Sequence, residues 1–75
     1  MNVAIIGLGY VGLPLSLQFA RSGVRVLGLD IDGKKVELLN RGQSYIKHIR
    51  AEDVVSSVRA GQFAASADFS RIREV

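Results

Sequence analysis

The sequence predicts an α/β fold, the first half of a doubly wound parallel sheet in the order β-α-β-α-α-β-α. Three observations predict it. Val3–Ile6 is a wholly apolar run that passes directly into Gly7-Leu8-Gly9-Tyr10-Val11-Gly12. A helical pattern follows at once. After it comes a second apolar run, from Val24 to Leu29, which ends in Asp30. Short, continuously apolar strands separated by helical segments are the mark of parallel strands covered by helices.

The first strand spans residues 2–6. The turn after it has the spacing G-x-G-x-x-G, and each glycine has a physical task. Gly7 lets the chain turn sharply, Gly9 lets a pyrophosphate approach bare backbone, and Gly12 lets the following helix pack close to the strand. The helix start adds free N–H groups and a partial positive charge. That helix is expected from about Tyr10 to Ser22. Leu13, Leu17 and Ala20 form one apolar stripe, and Val11, Leu15 and Phe19 a second, together a wide face suited to a sheet. Pro14 sits near the first turn, where its missing N–H costs least. Ser16 is small enough to keep the helix close to the sheet. Gly23 is the expected stop.

The second strand covers residues 24–30, set beside and parallel to the first by a right-handed crossover. Asp30 lies 23 residues after Gly7, near the roughly 20-residue spacing at which a carboxylate meets a ribose 2′-hydroxyl. A carboxylate there repels a 2′-phosphate, which favours NAD over NADP. Strand, turn, helix, strand and acid together point to a dinucleotide site of the Rossmann type. Flavin proteins share the fingerprint, usually with Glu where Asp30 stands. Asp32 is placed to cap a second helix over Gly33–Arg41, with Val36, Leu38 and Leu39 apolar and Gly42 ending it. Gln43–Arg50 is irregular. A third helix over about Ala51–Ala60 turns Val54, Val55 and Val58 inward. A weaker third strand runs over Gln62–Ala67, and Asp68 is placed to cap a final turn.

Composition narrows the class. The chain has 75 residues, 48% of them hydrophobic, which indicates a globular and not a disordered chain. No apolar run nears the roughly 18 residues of a membrane span. No basic leader or cleavage site precedes the first strand, so a cytoplasmic protein is expected. With no cysteine there is no disulfide, thiolate metal site or cysteine nucleophile in these residues. The net charge of +3 comes from basic residues spread along the chain without interleaved aromatics, which is solvated surface and not a nucleic-acid stripe. In a complete doubly wound sheet the first strand is central. Here no fourth strand flanks it, so it is expected to be an apolar edge, and residues 1–75 are expected to be a fragment of a longer domain.

The segments VAIIGLGYVGLPL, VLGLDID, NRGQSYIKHI and QFAASADFSRI resemble the N-terminus of the UDP-glucose/GDP-mannose dehydrogenase family over essentially the whole chain. S-Y-I-x-H-I resembles the UDP-N-acetylglucosamine 6-dehydrogenase branch; the UDP-glucose enzymes usually carry a Pro-Gly-containing segment there. The resemblance implies oxidation of the C6 hydroxyl of a UDP-sugar to a carboxylate in two NAD-dependent steps, through a cysteine thioester. It also implies a homo-oligomer of the intact protein in polysaccharide biosynthesis. Gly7, Gly9, Tyr10, Val11 and Gly12 match the family's pyrophosphate turn, Asp30 its adenosine-ribose acid, and Lys35 a basic residue that also reaches that ribose. No position matches the family's catalytic groups, so this chain by itself is expected to be inactive.

Blander alternatives stand beside these roles. Tyr10 either packs at the loop or offers its backbone to the cofactor. Lys35 is either a solvated helix residue or a ribose contact, and Lys34 reads as surface. His48 has no partner at metal spacing or for proton transfer. With Tyr45 it is expected to order its loop or to face the substrate side. Glu52 and Asp53 suit a helix start. A different class of function also fits the pattern: a non-catalytic dinucleotide-binding or assembly module that self-associates through its first strand.

Overall fold

The computed structural model describes residues 2–75; Met1, which the sequence sets as the lead-in to the first strand, lies outside them. Three parallel strands, β1 (Val3–Ile6), β2 (Val26–Leu29) and β3 (Phe63–Ser66), form one sheet in that order. Val3 faces Val26, which faces Phe63; Ile6 faces Leu29, which faces Ser66. Helix α1 (Gly12–Arg21) joins β1 to β2, and α2 (Gly33–Asn40) and α3 (Ala51–Arg59) join β2 to β3. A 3-10 helix over Phe69–Glu74 closes the chain. The order of elements and the Rossmann-type half sheet are those the sequence predicts.

The elements form where side-chain chemistry allows. Asp32 accepts from the backbone N–H of Lys34 and Lys35 and so caps α2. Asp68 accepts from Ser70 N–H at 3.0 Å and caps the terminal 3-10 helix. Gly23, at φ +89°, follows the end of α1, a conformation that disfavours other residues. Helix α1 begins two residues later than the spacing predicts, because Tyr10 and Val11 belong to the turn and Val11 occupies the cap position.

One core lies between the helices and one face of the sheet. Leu13, Leu17 and Ala20 of α1 meet Leu39 of α2, Val54 of α3, Ile46, and the strand residues Val26, Phe63 and Ala65. The pleat sends Leu27 and Leu29 to the opposite face, and both are fully buried. The wide apolar face predicted for α1 is only half used. Val11 and Leu15 are exposed and Phe19 is half-buried. The reason is register: Leu13, Leu17 and Ala20 already fill the stripe over the sheet, and of the second stripe only Phe19 packs against the margin of the core.

The two edges of the sheet differ. On the β3 side, the Asn40 amide donates to Ala65 C=O at 2.9 Å and accepts from Ala65 N–H at 3.2 Å, pairing like a short strand. On the other side β1 is an edge, half-buried along its length, with Ile6 58% exposed. Among the described residues no helix is long and apolar enough to cross a membrane.

Candidate functional site

The site begins where β1 ends. Gly7 sits at φ +89°, a region costly for any residue with a Cβ, and its N–H extends the ladder to Leu29 C=O at 2.7 Å. Leu8 then turns inward and is fully buried. It fits because Gly28 on β2 has no side chain: a Cβ there would lie 2.7 Å from Leu8 Cδ2 and 3.1 Å from Phe63 Cε1. Gly12 is closed in the same sense, since a Cβ would sit 1.7 Å from the Gly7 carbonyl oxygen. Gly9 is the opposite case, with no atom within 4 Å of where its Cβ would project. The turn is therefore closed at Gly12, where the helix begins, and open at Gly9. The start of α1 has no side-chain cap and no acidic residue in its first turn. The positive end of its dipole is left for an external anion.

Asp30 closes β2 and is only 9% exposed. One carboxylate oxygen, Oδ2, accepts from Leu8 N–H and the other, Oδ1, from Asp32 N–H, each at 2.8 Å. These two N–H groups, aided by the Lys35 charge, hold its carboxyl below the usual value of 3.8 against the opposing effect of burial. It is ionised at neutral pH, and each oxygen keeps a second lone pair for a hydroxyl donor. The acid thus points at the turn and is bonded to it.

Beside the turn lies a cavity of about 390 Å³, lined by Gly9, Tyr10, Asp32, Lys34, Lys35, Leu38, Tyr45 and Ile46. Of the residues singled out from the sequence, Gly9, Tyr10 and Lys35 line it, whereas Gly7, Val11, Gly12 and Asp30 shape the turn next to it. Tyr10 is 78% exposed, so of the two roles open to it from the sequence, packing at the loop does not hold. Lys34, read as surface, lines the cavity. Its place one residue after Gly33 in the capped first turn of α2 sets it there. Lys35 lies with Nζ 5.5 Å from the Tyr45 ring centroid, within cation–π range. Tyr45 is half-buried, and its hydroxyl donates to the Leu8 carbonyl. Burial, then the charges of Asp30 and Asp32, push its phenol up to about 12. His48 is exposed and lies outside the cavity lining.

Sequence reasoning missed the parts played by Gly28, Lys34 and Leu38, and the bond made by Tyr45. Gly28 reads as an ordinary strand glycine until Leu8 is seen beneath it. Lys34 and Leu38 follow from α2 facing the turn, a tertiary fact. The Tyr45 bond to Leu8 spans 37 residues and leaves no local signal. Among the described residues no group of three or more His, Cys, Asp or Glu side chains could hold a metal ion.

The arrangement suits a dinucleotide on three counts: an open backbone at Gly9, an uncapped helix start for phosphate, and an ionised acid fixed to the same turn for ribose hydroxyls. Comparison with known proteins agrees. The family described as the UDP-glucose/GDP-mannose dehydrogenase family, NAD binding domain, matches residues 1–75. A UDP-N-acetyl-D-mannosamine dehydrogenase of Salmonella typhimurium is 38% identical over 62 residues, which are 83% of this chain and 15% of that protein. Among solved structures, a UDP-D-ManNAc dehydrogenase from Pyrococcus horikoshii superposes with a TM-score of 0.87 at 30% identity, over 96% of this chain and 18% of that one. A ternary complex of GDP-mannose dehydrogenase from Pseudomonas aeruginosa gives 0.87 at 29% identity, over 95% and 16%. The chain spans less than a fifth of each of these relatives.

Proposed function

The chain belongs to the UDP-glucose/GDP-mannose dehydrogenase family, as NAD-binding domain sequence, and we propose that it holds the cofactor for an enzyme that oxidises the C6 hydroxyl of a UDP-sugar to a carboxylate in two NAD-dependent steps. A UDP-N-acetylhexosamine is the substrate class this favours, supported by the S-Y-I-x-H-I segment and by the relatives named as UDP-N-acetyl-D-mannosamine dehydrogenases. Residues 1–75 would be the N-terminal part of the binding domain, with the remaining strands and the catalytic and substrate groups elsewhere in a longer cytoplasmic protein. The 75-residue chain alone would bind without turnover.

One observation carries the proposal. The turn is closed at Gly12, open at Gly9, and joined to an ionised Asp30 through Leu8 N–H. NAD, when bound, supplies the hydride acceptor. The chain's own residues do the holding. Gly7, Gly9, Tyr10, Val11 and Gly12 offer backbone to the pyrophosphate, and the start of α1 adds its dipole. Asp30 accepts from the adenosine-ribose hydroxyls and repels a 2′-phosphate. Lys35 borders the ribose from the cavity side. Titration of the chain with NAD, followed by the amide resonances of Gly9–Gly12, tests this. Saturable shifts at those amides are expected, with weaker binding of NADP. An unmoved turn at millimolar NAD would overturn it.

A second function rests on β1 being a sheet edge with Ile6 exposed: a non-catalytic binding or assembly module that associates with a second copy through that strand. It differs from the first in requiring self-association of this chain.

A further inference from the structure

We propose that Tyr45 is a positioning residue for the cofactor: by donating its hydroxyl to the Leu8 carbonyl it locks the Leu8–Gly9 peptide plane and so aims the open turn at phosphate. The proposal rests on the dinucleotide-binding function given above and extends it to a loop the fingerprint does not include.

Leu8 is held at every polar and apolar point. Its side chain is buried in the space left by Gly28. Its N–H donates to Asp30 Oδ2 at 2.8 Å, and its carbonyl accepts from Tyr45. In a trans peptide the carbonyl of one residue and the N–H of the next point to opposite sides of a plane. Fixing Leu8 C=O toward Tyr45 therefore fixes Gly9 N–H away from it. The lock matters at this bond because Gly9 has no Cβ and nothing within 4 Å of where one would be. The Gly9 carbonyl accepts from Leu13 N–H at 3.1 Å, which holds the following peptide. The peptide between Leu8 and Gly9 has no such backbone tie, and a glycine lets it rotate at little cost. Without a partner on the Leu8 carbonyl, the open part of the turn would sample several orientations, and phosphate would bear the ordering cost on binding.

Tyr45 is itself well held. The Lys35 ammonium lies 5.5 Å from its ring centroid. The next residue, Ile46, is buried and has both backbone groups tied to Ser44 Oγ, its N–H at 3.2 Å and its C=O at 3.0 Å. Its phenol ionises only near 12, so the hydroxyl remains a donor throughout the neutral range. The loop from Gln43 to Arg50 thereby acts on the phosphate turn without belonging to it.

Tyr45→Phe keeps the ring and removes the donor. Its binding of NAD, ADP and adenosine is compared with wild type, together with the Leu8 carbonyl carbon resonance and the Gly9 amide exchange rate. Roughly tenfold weaker binding of NAD and ADP is expected, with adenosine unchanged, a shifted Leu8 carbonyl and faster Gly9 exchange. Tyr45→Leu, which also removes the ring that walls the cavity, should weaken adenosine too. Should Tyr45→Phe fail to fold, the wild-type protein still decides the matter: a Tyr45 hydroxyl proton protected from solvent and close to Leu8 supports the lock, and a freely exchanging one overturns it. Wild-type NAD affinity and an unshifted Leu8 carbonyl in Tyr45→Phe also overturn it, as does equal weakening of all three ligands, the mark of a merely structural role. Wild-type chain that binds neither NAD nor ADP instead overturns the cofactor function itself.

Discussion

Gly9 and Gly12 are three residues apart, and substitution by alanine separates what each is for. At Gly12 the new Cβ would meet the Gly7 carbonyl at 1.7 Å, and backbone must move to admit it. Gly12→Ala is expected to cost about 3 kcal/mol of stability, read as a lower midpoint in denaturant. At Gly9 the new Cβ enters open space at an ordinary φ. Gly9→Ala should leave stability within about 0.5 kcal/mol of wild type while weakening NAD about tenfold or more, or 1.4 kcal/mol. Equal stability losses at the two positions would contradict this division. Asp30 supplies a pH dependence. Its folded value lies below the unfolded one because Asp32 N–H and Leu8 N–H bond the charged form. Its contribution is therefore complete above the unfolded value near 3.8 and is lost as pH falls through the lower folded value. The Leu8 amide resonance should hold steady from neutral pH down to that point and move below it; in Asp30→Asn this acid transition should be missing. The glycine spacing and the acid were legible because their tasks are backbone tasks, set by residue type alone. Tyr45 was singled out as a residue that orders its loop, but its bond to Leu8 was not legible, because that partner lies 37 residues away.

Elements were legible where their signals are local. Asp32 announces α2 by residue type, and the structure bonds its carboxylate to the Lys34 and Lys35 amides. Asp32→Ala should cost about 1 kcal/mol, seen as a lower unfolding temperature, and should loosen the first turn of α2 that carries both lysines to the cavity. An unchanged unfolding temperature would show the cap to be idle. The start of α1 was less legible. Apolar spacing ran back to Tyr10, but the Gly7–Gly12 packing places the true start at Gly12. Periodicity gave two apolar stripes for this helix and could not say which one meets the sheet. That depends on the rotation of the helix about its axis, which Ser16 helps to set as a fully buried small residue on the inward side. The Asn40 pairing with β3 was invisible for a similar reason. Asparagine at a helix end is ordinary, and only the approach of α2 to β3 makes it a strand substitute.

At the scale of the whole molecule, the sheet's two edges are unequal. The β3 edge is blunted by Asn40, whereas β1 has Ile6 exposed. Edges of this kind invite pairing with another chain unless covered. Light scattering across a concentration series should show this 75-residue chain self-associating, and Ile6→Lys should return it to monomer. A wild-type chain that stays monomeric throughout would dismiss the assembly module and leave the cofactor-holding function in place. The same edge explains why β1, apolar enough for a strand buried on both faces, is only half-buried here.

The sequence by itself determined the alternation of strands and helices, the glycine turn after β1, the acid at the end of β2 and the caps of α2 and the terminal 3-10 helix. Each depends on residue type at a fixed local spacing, through backbone sterics and short-range hydrogen bonds. Tertiary structure alone decided that Leu8 is clamped from both sides, that Lys34 and Leu38 reach the cavity, that Tyr10 faces outward and that only one stripe of α1 is buried. These depend on where distant segments come to rest, and that is set by the packing of the whole core.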